Sequence, residues 1–200
     1  MTFIETIAED QASGATAELY AADRDASGFL PNLVRAFSLR PEVYLAWKQL
    51  SGAIRDGMDL RRYELATIAA ARELRSSYCM LAHGSVLMNK GFLEPEALRA
   101  VVADHRSADL DEVDVAVMDL AAKVARDATS VEQGDIDRLR SLGLSDQDVV
   151  DVVLTAALRC FFSKVLDGLG AEPDAKYAQL DPATRDALTV GRAIAAVSDG

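Results

Sequence analysis

The chain has 200 residues, half of them hydrophobic but only 6% aromatic, and 32 acidic against 21 basic side chains give it a formal net charge of −11. A field of that sign repels phosphate backbones and anionic lipid, so no nucleic-acid partner and no membrane surface is expected, and no apolar run approaches the eighteen or so residues of a membrane span. Two cysteines eighty-one positions apart make no disulfide framework, and no leader-type segment opens the chain, which points to a reduced, cytoplasmic protein forming one domain over residues 1–200.

Taken in order, the pattern is helical throughout. Ser13 caps a short amphipathic helix to about Arg24, broken by Gly28. Phe29-Leu30-Pro31-Asn32 introduces a second short helix with Leu33, Val34 and Phe37 inward. Pro41 starts a third, to about Ile54, whose Val43, Tyr44, Trp47 and Leu50 form a core-facing stripe that makes Trp47 a packing residue. After Gly57 comes a helix carrying Glu64, with Leu65, Ile68, Ala69 and Leu74 inward. Ser76 or Ser77 then caps a new helix that ends at Gly91. Glu94-Pro95 begins the next, to about Val102. A polar loop with His105 follows, then a long helix from about Asp111 to Asp127. A short helix stops at Ser-Leu-Gly, 141–143. Ser145 and Asp148 open an apolar helix from Gln147 to about Leu166, and Asp181-Pro182 begins a final one reaching about Val197. An internal echo runs through this order. GFLEPEALRAVV at Gly91 and GLSDQDVVDVVL at Gly143 lie 52 positions apart, and the same offset sets Cys79 on Val131 and His83 on Asp135.

Reactive side chains gather in Tyr63 to Lys90, YELATIAAARELRSSYCMLAHGSVLMNK. Cys79 and His83 are four apart, one helical turn on one face, and Ser76 joins that face from three residues upstream. Glu64 lies fifteen residues before Cys79, about 22 Å along a straight helix, so it reaches the thiol only if the chain folds back between them. With Ser76 as the cap, Cys79 falls in a first turn, where free N–H groups and the helix dipole favour thiolate.

Glu64, Ser76, Cys79 and His83-Gly84, with Tyr78 before the cysteine, resemble the active-site pattern of the carboxymuconolactone decarboxylase-like and alkylhydroperoxidase D-like family. In its redox-active members the pattern is a Glu, a Cys-x-x-Cys pair and a His. Here Ser76 stands where the first cysteine would be, so a dithiol is absent. FLPNLVRAF, SLRPEVYLAW and the stretch from GLSDQDVVDVV to LDGLG are similar to the peroxidase-related branch, which extends the resemblance over roughly 14–174. It implies an all-α alkylhydroperoxidase D-like bundle of about ten helices, homo-oligomers, and two copies of one helical unit.

For function, the resemblance implies reduction of a hydroperoxide through one nucleophilic cysteine. Cys79 would attack, His83 would take its proton directly or through water, and Glu64 would orient the imidazole. Ser76 and Tyr78 would line the pocket or support it. Ser76 cannot reduce the resulting sulfenic acid, so an external thiol or a reductant protein would. Cys160, between apolar neighbours in LTAALRCFFSK, reads as inert packing. A cofactor-free decarboxylase of a lactone acid, using Glu64 and His83 with Ser76 as donor, stays open, although Arg72 and Arg75 nearby read as solvent-facing. So does a non-enzymatic helical assembly or redox sensor. No cofactor and no metal are expected: Glu64, Cys79, His83 and His105 lack a close ligand pairing such as His-Glu-x-x-His.

Overall fold

The computed structural model describes residues 2–196, in which ten α-helices and three 3-10 turns are joined by short loops and no strand occurs among the described residues. In order they are α1 (Gly14–Ser27), α2 (Asn32–Ala36), α3 (Pro41–Asp56), α4 (Leu60–Glu73), α5 (Ser77–Asn89), α6 (Pro95–Asp104), α7 (Glu112–Asp127), α8 (Gln133–Ser141), α9 (Asp146–Gly168) and α10 (Pro182–Leu188). The all-α reading with about ten helices holds. None of these helices is long and apolar enough to cross a membrane.

α4 is the axis of the bundle. Its residues Tyr63 to Ala71 are all buried, an enclosure on every side that an amphipathic surface helix does not have. Four of those nine are alanines, and small side chains let backbones approach closely. α7 lies against α4 in the most extensive helix contact of the fold, bringing Ala116, Val117, Leu120 and Ala121, while α5 and α9 close the other sides.

The 52-residue echo is visible in the architecture. Asp59 and Asp111 cap α4 and α7 alike, each accepting from the backbone N–H three residues on, at 3.0 and 2.7 Å. α5 and α8 end alike as well. Gly91 and Gly143 both have positive φ, 68° and 91°, and the residue after each donates back to Leu87 and Leu139, at 2.9 and 3.1 Å. That is the Schellman closure, which a side chain at the glycine position would strain.

Two expectations need correction. Ser13 and Ser76 occupy N-cap positions, but neither hydroxyl accepts a capping bond, whereas Ser145 and Asp148 do form the reciprocal box expected of them. The final helix stops at Leu188 rather than near Val197, which lies outside the described residues. The tail leaves the helix because it is tied elsewhere. Gly191 N–H donates to Ser77 Oγ at 2.8 Å and Arg192 to the Asp167 carbonyl at 2.9 Å. At Gly191 a Cβ would lie 2.0 Å from the Arg75 carbonyl oxygen, so only glycine lets the tail press onto the start of α5.

Candidate active site

The turn from α4 into α5 makes the site. Leu74 ends α4, Arg75 takes the left-handed conformation at φ 54°, and Ser76 is extended, so the chain reverses within three residues without a glycine. For a residue with a Cβ that conformation costs about 1 kcal/mol, which the buried contacts of both helices offset. α5 then runs back along α4, and Glu64 meets His83: Nδ1 and Oε2 are 2.6 Å apart, with the carboxylate buried. Gly84 keeps the other flank of α5 tight, since a Cβ there would sit 3.0 Å from Leu188 of α10 and 3.4 Å from Leu98 of α6.

Two residues of α9 complete the arrangement, and sequence reasoning missed both. Arg159 Nη1 is 2.9 Å from His83 Nε2, and Ser163 Oγ donates to Cys79 Sγ at 3.2 Å. Both pairs are spaced by four residues, Cys79 to His83 on α5 and Arg159 to Ser163 on α9, so the helices meet through two polar rungs one turn apart. A guanidinium can only donate, so His83 Nε2 accepts, and Nδ1 carries the hydrogen given to Glu64. Arg159 is 1% exposed and is the largest fully buried side chain of the described residues. Its position in sequence carried a signal. Val152, Thr155, Ala156, Arg159, Phe162, Ser163 and Leu166 are the buried stripe of α9, and an arginine at core spacing needs a partner.

Cys79 is 2% exposed at the third position of α5, facing Ser163. The hydrogen bonds among the described residues do not include one between Cys79 and His83, whose two ring nitrogens are held by Glu64 and Arg159. The remaining expected residues lie around this centre. Tyr78 donates to Asp174 Oδ2 at 2.5 Å and accepts from Leu33 N–H at 3.1 Å, tying α5 to α2 and to the segment before the last helix. Burial, then the Asp174 charge, pushes its phenol well above the usual range. Ser76 is fully buried beside Asp167. Burial raises the Asp167 carboxyl, with Ser76 and Arg192 opposing.

Cys160 is half-buried on α9 rather than in the core, its thiol raised by burial with Lys164 opposing, and both cysteines are free. His105 pairs with Asp119 at 2.8 Å. No group of three or more His, Cys, Asp or Glu is placed to hold a metal among the described residues. Arg72 and Arg75 donate to the carbonyls of Ala103 and Val190 on the surface.

The wall beside Arg159 is aromatic. Trp47 stacks on Phe162 with centroids 3.8 Å apart, Tyr44 and Phe37 extend the layer, and the guanidinium lies 5.6 Å from both the Trp47 and Phe162 rings. Trp47 therefore packs, as expected from its spacing. A groove of about 1010 Å³ opens elsewhere, bounded by Phe3, Phe29, Asn32, Asp174 and Lys176; of the residues around the site it reaches only Asp174, the partner of Tyr78.

Residues 41–108 match the carboxymuconolactone decarboxylase family. No curated protein is significantly similar in sequence. Among solved structures, an uncharacterized peroxidase-related protein with an alkylhydroperoxidase AhpD core, from Ralstonia eutropha JMP134, aligns with TM-score 0.79 and 21% identity over 88% of this chain and 94% of its own. A peroxidase-related protein from Silicibacter sp. TM1040 gives TM-score 0.74 and 21% identity, over 88% and 91%. The debrominase Bmp8, as a cysteine-to-alanine variant in complex with 2,3,4-tribromopyrrole, gives TM-score 0.70 and 14% identity, over 94% and 98%. Identities this low speak to the fold alone. The segment that holds Glu64, Cys79 and His83 thus lies within the match to the carboxymuconolactone decarboxylase family, and the chain has the alkylhydroperoxidase AhpD-like fold.

Proposed function

We propose that the protein reduces a hydroperoxide at Cys79 at the expense of an external thiol. The observation that carries this reading is the Glu64–His83 pair, closed at 2.6 Å across the α4–α5 turn and one helical turn from the sulfur. Two features place donors at the sulfur: Cys79 stands in the first turn of α5, at the positive end of the helix, and the Ser163 hydroxyl donates to Sγ. The description of two structural neighbours as peroxidase-related agrees with it.

In the step, the Cys79 sulfur attacks the outer peroxide oxygen, the O–O bond breaks, and the departing alkoxide takes the proton that the thiol gave up, leaving Cys79 sulfenic acid and an alcohol. His83 relays that proton once its Nε2 exchanges the Arg159 contact for the entering peroxide, and Glu64 holds the ring throughout. Two equivalents of external thiol then return the sulfenic acid to thiol, releasing water and a disulfide, because Ser76 offers no second sulfur. The outer face of α9 exposes Val150, Leu154 and Phe161 at helix-pairing spacing, which supports a homo-oligomer that covers it.

A second reading has its own support. Glu64, His83 and Arg159 form a hydrogen-bonded chain that is complete without the sulfur, which suits acid–base chemistry in a cofactor-free decarboxylase. Turnover of cumene hydroperoxide with dithiothreitol separates the two. Thiol chemistry requires consumption by the wild type and its loss in Cys79→Ser; equal rates in both proteins would sink it.

A further inference from the structure

We propose that Arg159 is the anchor for a carboxylate on the substrate, so that the site takes a small apolar molecule ending in an anionic group. This rests on reading Glu64, Cys79 and His83 as one reactive site, and it names what that site selects.

A guanidinium has five N–H groups, and Arg159, 1% exposed, places only Nη1, on His83; Nε and Nη2 are buried without an acceptor. None of the ion pairs among the described residues involves it, and Glu64 is committed to the far side of the imidazole. Removing a guanidinium from water costs several kcal/mol unless an anion compensates. Two aromatic rings at 5.6 Å contribute cation–π attraction, yet they accept no N–H bond in the guanidinium plane. The indole beside it repeats the pattern, for Trp47 Nε1 is also buried without an acceptor. Donors of one kind, with no acceptor of their own, thus lie beside the stacked rings of Trp47 and Phe162. A planar anion with two acceptor oxygens fits Nε and Nη2 in the paired geometry that guanidinium offers carboxylates. Such an anchor would hold the body of the ligand one helical turn from Cys79, where Ser163, four residues beyond Arg159, touches the sulfur.

The test separates this inference from the chemistry. In the binding arm, 4-isopropylbenzoate and its neutral amide are titrated into Cys79→Ser protein, which cannot carry out thiol chemistry, and into the same protein with Arg159→Met or Arg159→Lys. The benzoate should bind about ten- to a hundredfold tighter than the amide, and Arg159→Met should erase that preference. Arg159→Lys, which keeps the charge but not the fork, should retain a smaller preference and guards against a folding failure in Arg159→Met. In the turnover arm, wild type should favour 4-carboxycumene hydroperoxide over cumene hydroperoxide in kcat/KM by a similar factor. Equal affinity for benzoate and amide, or a preference that survives Arg159→Met, overturns the inference even if both hydroperoxides are consumed. Selective benzoate binding without peroxide turnover upholds the anchor and removes the peroxidase reading instead.

Discussion

α4 to α6 and α7 to the start of α9 follow one plan 52 residues apart, yet they have diverged in what they bury. Asp59 and Asp111 open them, and Gly91 and Gly143 close their second helices. In the first unit Glu64 is buried against His83. In the second the matching positions are Ala116, packed in the core, and Asp135, which pairs with Lys123 at 2.6 Å near the surface. The difference lies in the environment of the matching helix faces. α5 is covered by α9, whose extension beyond the echo brings Arg159 and Ser163, whereas α8 lies at the periphery. Caps and turns are preserved because they set the chain path; Glu64 and His83 pair where a third helix, α9, covers them.

The largest expected effect is at the sulfur. Cys79→Ser should lower peroxide turnover by at least about a thousandfold, measured in steady state, while Cys160→Ser, half-buried on the other side of α9, leaves it unchanged. Next, Glu64→Gln should cost about a hundredfold in kcat by weakening the hold on the imidazole. Its counterpart in the second unit, Asp135→Asn, should leave turnover alone and lower stability by about 1 kcal/mol in urea melts, through the lost reciprocal cap on α8. If Asp135→Asn reduced turnover as much as Glu64→Gln, the division of labour between the units would be wrong. Gly91→Ala and Gly143→Ala should each destabilise by about 1 kcal/mol and by similar amounts, since both require left-handed backbone; strongly unequal losses would break the structural equivalence.

The smallest effect is in acid. Burial alone would raise Asp119, but bonds from His105, Arg106 and Arg138 outweigh it and hold the carboxyl below the usual carboxylate range. A folded-state value below the unfolded one gives stability that is present above about pH 4 and fades as pH falls through the lowered value. Asp119→Asn should therefore flatten the acid limb of a stability-against-pH curve, while losing part of the plateau near neutrality.

Much of this was legible beforehand because it depends on local rules. Helix starts at Pro41, Pro95 and Ser145 and the stop at Gly28 follow from residues that act within one turn. Cys79 and His83 share a face by spacing alone, and the need for a reversal before Cys79 was read correctly. The residue that makes the reversal was not, because Arg75 adopts a left-handed conformation that its own chemistry disfavours. The tail beyond Leu188 was misread for a similar reason. Its hydrogen bonds go to Ser77, Asp167 and Pro173 in other parts of the chain, and long-range partners override a helical pattern. Arg159 and Ser163 were not legible from the spacing around Cys79, because the partners of the thiol and the imidazole come from some eighty positions away on another helix.

The most direct measurement is a single exposure of the reduced protein to one equivalent of hydroperoxide, with sulfenic acid trapped by dimedone and located by mass spectrometry. An adduct is expected on Cys79 and not on Cys160, forming about a hundredfold more slowly in Glu64→Gln. An unmodified Cys79, or one modified at the same rate without the Glu64 carboxylate, would contradict it.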